Sequence, residues 1–218
     1  HLLWATLVAP GTLVRGLETG APLAATAALL GLLGATTQLV QSMLVAPVLR
    51  LDPMAQDAPG GPEAALRSYW VVRGLVCVAA PVGVVLRSAA LASVLQASAA
   101  LLGTAAAWRR LLGLALHLEL CFWMESACAT VLVGLARPET LEALGAVRMH
   151  AGVDLVWRPG SAEARALLAA ANAFTAWWGV LLGFGLVRLA RLRPAPAAAV
   201  ALTFWSGLVA LRYVLQPR

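Results

Sequence analysis

Charge is scarce in this chain: only 12% of its residues are Asp, Glu, Lys or Arg, against 61% hydrophobic residues. That balance excludes an ordinary water-soluble domain, where about a quarter of residues are charged. Lysine and isoleucine are missing altogether, so all 16 basic residues are arginines, a bias that fits a GC-rich genome. There is no Gly-rich phosphate loop, no nucleophile elbow and no Cys-x-x-Cys pair, which leaves no recognisable motif for phosphate, acyl or thiol chemistry. Cysteine is sparse too, and Cys77, Cys121 and Cys128 all fall in apolar stretches, where a free thiol behaves as a small hydrophobe. No disulfide framework is implied. The net charge of +6 does not indicate nucleic acid, because the arginines are scattered through connections rather than gathered on one basic face. They read instead as topology signals. A chain that starts on His1 is also compatible with a targeting segment upstream.

What is abundant is oil: the mean hydropathy is +0.83. With 218 residues the chain can supply about five spans of roughly 20 residues with short connections. The expected fold class is all-α, a polytopic membrane helix bundle forming a single membrane domain over 1–218, with interfacial amphipathic helices beside the spans. The spans are expected at about 22–47, 82–106, 111–135, 166–187 and 197–214. The opening stretch, His1 to Gly20, reads as interfacial, with apolar residues around a Pro10-Gly11 break followed by Arg15 and Glu18. A Pro- and Gly-rich connection from Arg50 to Arg67 ends the first span. Ser68 to Ala107 is ambiguous, being apolar for about 40 residues yet interrupted by Arg73, Pro81 and Arg87. Two short spans would fit its length, but an interfacial helix through about Ala80 followed by one span is preferred, with Arg87 snorkelling to the nearer surface. Between Glu139 and Arg165 the composition turns mixed, giving a loop with a short helix after Pro138.

Orientation follows from where arginine collects. Arg109 and Arg110 mark one tight loop, and Arg188, Arg191 and Arg193 mark another, while the longer connections balance near zero. Five spans then place the N-terminus in the cytoplasm, with Arg212 and Arg218 arguing mildly the other way. The expected location is the inner membrane of a bacterium with a GC-rich genome.

The third expected span carries the chemistry-bearing side chains, since LHLELCFWMESACAT puts His117, Glu119, Cys121, Met124, Glu125 and Cys128 inside the membrane. At about 100° per residue, all but Glu119 fall within an arc of about 100°, and Glu119 points nearly the opposite way. Three uses suggest themselves. The simplest is that His117 and Glu125 hydrogen-bond to other helices while the cysteines pack. Another is a proton or ion pathway through Glu119 or Glu125, with Arg73 and Arg87 as the available counter-charges. The third is a copper or zinc site on His117 with Cys121 or Met124. No metal and no cofactor is expected, and a bis-imidazole haem within the chain is excluded because no other histidine lies in a span. Glu125, deeper than Glu119, is expected to be neutral or hydrogen-bonded at pH 7.

Small residues recur at four-residue spacing in Ala89, Ser93 and Ala97, in Gly179 and Gly183, and in Ala195, Ala199, Thr203 and Gly207. Such stripes let helices approach closely. They serve either packing within the bundle or an interface to a partner. Asn172 shares the face of Gly179 and Gly183 and is expected to supply an interhelical hydrogen bond.

Several segments resemble the Yip family, the five-pass Ypt-interacting membrane proteins. Leu7 to Leu33 is similar to that family's Pro-bearing amphipathic entry into its first helix. In Leu101 to Ala127, Gly103 and then Trp108 and Arg109 precede a small-residue helix. From Ala170 to Trp205, Phe174, Trp177, Leu181, Gly185 and Ala199 stand where the family pattern has an aromatic, a Trp, an apolar residue, a Gly and an Ala. The short N-terminal stretch departs from eukaryotic members, which carry a long cytoplasmic segment. The resemblance implies a non-enzymatic scaffold or accessory subunit in trafficking or export, whose partners are the bilayer and other membrane proteins or itself, without nucleic acid. The alternative is a small ion- or proton-coupled transporter using His117, Glu119, Glu125 and Arg87.

Overall fold

A computed structural model of the chain describes residues 9–18, 22–49, 59–135 and 160–215. They form an all-α bundle whose elements are α1 (Pro10–Glu18), α2 (Leu23–Leu49), α3 (Gly61–Leu101), α4 (Trp108–Leu135), α5 (Ala162–Ala170), α6 (Ala173–Leu189) and α7 (Pro194–Leu215). Of these, α2, α3, α4 and α7 are long and apolar enough to cross a bilayer, and α6, at 17 residues, is a shorter apolar helix. The chain is a membrane protein. Exposed Leu32, Leu75, Val78 and Leu86 on α2 and α3 are the surface such a protein offers to lipid.

Local chemistry explains several helix ends. Pro62 opens α3 behind Gly60, whose φ of 90° suits a residue without Cβ. At the far end Gly103 has φ 74°, and its N–H donates to Ala100 O at 3.0 Å while Thr104 N–H reaches Ala99 O at 2.9 Å. The last carbonyls of α3 are thereby satisfied. Ser161 caps α5 by accepting from Ala164 N–H at 3.1 Å.

Two expectations require correction. The first is the division near Pro81: α3 is one continuous helix of 41 residues, not an interfacial helix followed by a span at 82–106, and it ends at Leu101. At about 1.5 Å per residue it is about 60 Å long, roughly twice the hydrocarbon thickness. Gly31 of α2 accommodates Pro81, since a Cβ there would stand 2.7 Å from Pro81 Cβ and 2.8 Å from its Cα. The second is the span at 166–187, which divides at Ala171 and Asn172 into α5 and α6. The short helix foreseen after Pro138 lies outside the described residues.

Helix α4 is the centre of the bundle, packing on α2, α3 and α6 and touching α1. Leu111, Leu114, Leu118 and Cys121 join Ala92, Leu95 and Ala99 of α3 and Leu181, Leu182 and Leu186 of α6 in the larger core. A smaller core unites Leu30, Val84, Leu116 and Leu120. The amphipathic α1 does more than lie at a surface. Its Leu13, Val14 and Leu17 are buried in the larger core, and a Cβ on Gly113 would meet Leu17 Cδ2 at 2.6 Å.

Candidate functional site

Both acidic residues of α4 are buried, and each meets an arginine from a different helix. The 100° helical step sets Glu119 and Glu125 about 120° apart around α4, so they face different neighbours. Glu125 turns to α6 and α7, where Arg212 Nη1 and Nη2 donate to its Oε1 and Oε2 at 2.8 and 2.7 Å. This is a fork-on-fork pair, the geometry in which guanidinium binds carboxylate most firmly. The guanidinium also lies over the Phe122 ring, 5.2 Å from its centroid.

Asn172 completes the cluster. Its Nδ2 donates to Glu125 Oε1 at 2.5 Å, and its Oδ1 accepts from Thr175 N–H at 3.0 Å. One side chain therefore caps α6 and ties it to α4, at the point where the α5–α6 helix is interrupted. The N-terminus of α6 carries a partial positive charge that favours a nearby carboxylate. An interrupted helix in an apolar setting needs its freed backbone groups enclosed by protein, and Asn172 and Thr175 are 1% and 0% exposed.

Glu119 faces the other way, into a cavity of about 440 Å³ among α2, α3 and α4. Arg87 Nη2 donates to its Oε2 at 2.8 Å. Arg87, expected to snorkel, is paired with Glu119 across α3 and α4. On the same side Trp123 Nε1 donates to Thr37 Oγ1 at 3.0 Å, and Gln41 Nε2 donates to Ser126 O and Oγ at 3.1 Å. Arg73 Nη1 reaches Gln38 Oε1 at 3.4 Å, and its guanidinium sits 5.2 Å from the centre of the Tyr69 ring.

His117 is fully buried and keeps to its own helix, with Nδ1–H donating to Gly113 O at 2.7 Å. Its Nε2 has no partner among the described residues. The structure thus separates the three ionisable residues considered for a pathway: Glu119 pairs with Arg87, Glu125 with Arg212 and Asn172, and His117 with neither. The candidate metal set is also divided, because Cys121 packs in the larger core while Met124 packs against the smaller one. Among the described residues no group of three His, Cys, Asp or Glu side chains is placed to hold a metal ion.

Arg212 is the partner that sequence reasoning missed, having been read as a topology charge. An arginine inside an apolar run was itself the signal, since an unpaired one costs roughly 2.5–3.5 kcal/mol at a helix centre.

The small-residue stripes behave unequally. Gly179 and Gly183 line an apolar groove between α6 and α7, with Trp205 and Ala201 each 3.4 Å from where a Cβ would stand. Ala195, Ala199, Thr203 and Gly207 are exposed, and nothing lies within 4 Å of a Cβ built on Gly207. Among the described residues, the Ala199 and Gly207 stripe lies on the exposed face of α7. Compared with protein-family models, curated proteins and solved structures, the chain matches none of them.

Proposed function

We propose that this is a non-enzymatic membrane protein of Yip type that acts as a scaffold or accessory subunit for other membrane proteins, in trafficking or export. The family assignment rests on the sequence resemblance. The supporting structural observation is the exposed stripe of Ala195, Ala199, Thr203 and Gly207 along α7. Lipid gains little from such a surface, whereas a second helix can approach its backbone closely and gain van der Waals contact. The buried polar groups meanwhile hold this chain's own helices together: Glu125 joins α4, α6 and α7, and Glu119 joins α4 to α3. The location in this reading is the bacterial inner membrane with the N-terminus in the cytoplasm.

The transporter reading has one feature in its favour, the cavity beside Glu119. Among the described residues, His117 and Glu125 are bonded elsewhere and do not join Glu119 in a relay.

Native mass spectrometry of the protein extracted from its own membrane in gentle detergent tests the scaffold proposal. A protein partner, or a second copy, is expected at fixed stoichiometry and should be lost in Ala199→Leu/Gly207→Leu, which fills the stripe and leaves the interior untouched. A parent chain that carries no protein partner, or a variant that keeps it, overturns the proposal.

A further inference from the structure

Among the described residues, Arg87 is incompletely bonded for a charge beside an apolar cavity. A guanidinium has five N–H donors, yet among the described residues the one hydrogen bond of Arg87 is to Glu119, and its side chain is 66% exposed. Donors without acceptors are costly in hydrocarbon, so whatever fills the cavity beside Arg87 must supply acceptors. Side chains on a helix tilt toward its N-terminus, which on α3 carries Arg87 away from the turn into α4.

The cavity has the two halves an amphiphile needs. Its polar end holds Arg87, with Gln38 nearby, whose Oε1 accepts from Arg73 and whose amide nitrogen is left as a donor. Arg73, Arg87 and Glu119 together leave a net positive charge. The rest of the wall is apolar, including Leu30, Val76 and Val84, and a Cβ built on Gly34 or Gly83 meets nothing within 4 Å. Its volume of about 440 Å³ is in the range of small-molecule sites. Water alone would satisfy the arginine but not the apolar walls.

We infer that the α2–α3–α4 cavity is a lateral binding site for an anionic acyl lipid, whose carboxylate or phosphate takes the free edge of Arg87 and whose chain lies along Leu30, Val76 and Val84. This goes beyond the scaffold proposal and does not depend on it. The shared chemistry is an anionic oxygen head on an acyl chain, and two sources offer it: a free fatty acid or an anionic phospholipid.

Delipidated full-length protein is titrated by native mass spectrometry with oleate, with phosphatidylglycerol, with uncharged monoolein and with inorganic phosphate. Gly83→Leu fills open space without touching the ion pair, and Arg87→Gln/Glu119→Gln removes both charges while keeping hydrogen-bonding groups. One anionic lipid per chain is expected, with affinity at least about tenfold lower in both variants, while each keeps the parent's thermal unfolding to within a few degrees. Binding of oleate alone identifies a fatty acid, and binding of phosphatidylglycerol alone identifies a phospholipid. Equal binding by parent and variants, equal binding of monoolein, or saturation by phosphate without an acyl chain overturns the inference.

Discussion

Replacing Glu125 with Gln is a small change in shape and a large one in charge. Arg212 would keep one oxygen acceptor in place of two and would face an amide NH₂ where a carboxylate oxygen stood. Removing one partner of a buried ion pair costs about 3–5 kcal/mol, because the other charge stays behind. Arg212 keeps 27% exposure of its side chain, so water or lipid headgroups can meet part of its need. About 2–3 kcal/mol is therefore expected for Glu125→Gln. In a chain of this size that corresponds to a fall in melting temperature of roughly 5–10 °C. Glu125→Leu also strips Asn172 of its acceptor and should cost about 1–3 kcal/mol more. The assay is thermal unfolding in mild detergent, followed by reaction of a thiol dye with Cys121, which is 1% exposed when folded. Glu125→Gln/Arg212→Gln closes the cycle and should recover part of the loss, with a coupling of at least about 1 kcal/mol. If Glu125→Gln melts within about 2 °C of the parent and the cycle shows no coupling, the fork does not hold α4 to α7.

Three further outcomes follow from the packing. Gly31→Ala drives a Cβ against Pro81 and its backbone and should destabilise by about 1–3 kcal/mol, while Gly34→Ala, entering open space, should be neutral or slightly stabilising; unfolding midpoints of the two variants check this. Asn172→Ala loses both the α6 cap and the Glu125 bond and should cost more than the ~1 kcal/mol typical of a cap, whereas Asn172→Ser keeps the cap and should recover part of it. In a background lacking Cys77, Cys121 and Cys128, single cysteines at Ala107 and Arg191 should react with a membrane-impermeant maleimide from one side and those at Gly60 and Gly160 from the other; a mixed pattern refutes the arrangement of spans.

Much of the bundle was readable because long apolar runs bounded by Gly and Pro leave few options in lipid. The different faces of Glu119 and Glu125 on α4 followed from helical periodicity alone, and Arg87 stood among the available counter-charges. The continuity of α3 through Pro81 was hidden because what accommodates that proline is Gly31, on another helix and 50 positions earlier. Local rules see the cost of a proline but not its distant complement. The break at Asn172 did carry a local mark, an N-cap residue with Thr175 three positions on, but the surrounding alanines kept the helical pattern unbroken. Arg212 lay 87 residues from Glu125, and no periodicity joins them.

The central claim is that Glu119 and Glu125 are fixed partners of arginines that hold the helices together and do not carry protons. Reconstituting the pure protein in liposomes loaded with a pH-sensitive dye, imposing a proton gradient and following its decay tests this most directly. Decay no faster than in protein-free liposomes, for the parent and for Glu119→Gln alike, is expected. A rapid decay in the parent that Glu119→Gln or Glu125→Gln abolishes, with the variant still folded, would contradict the account.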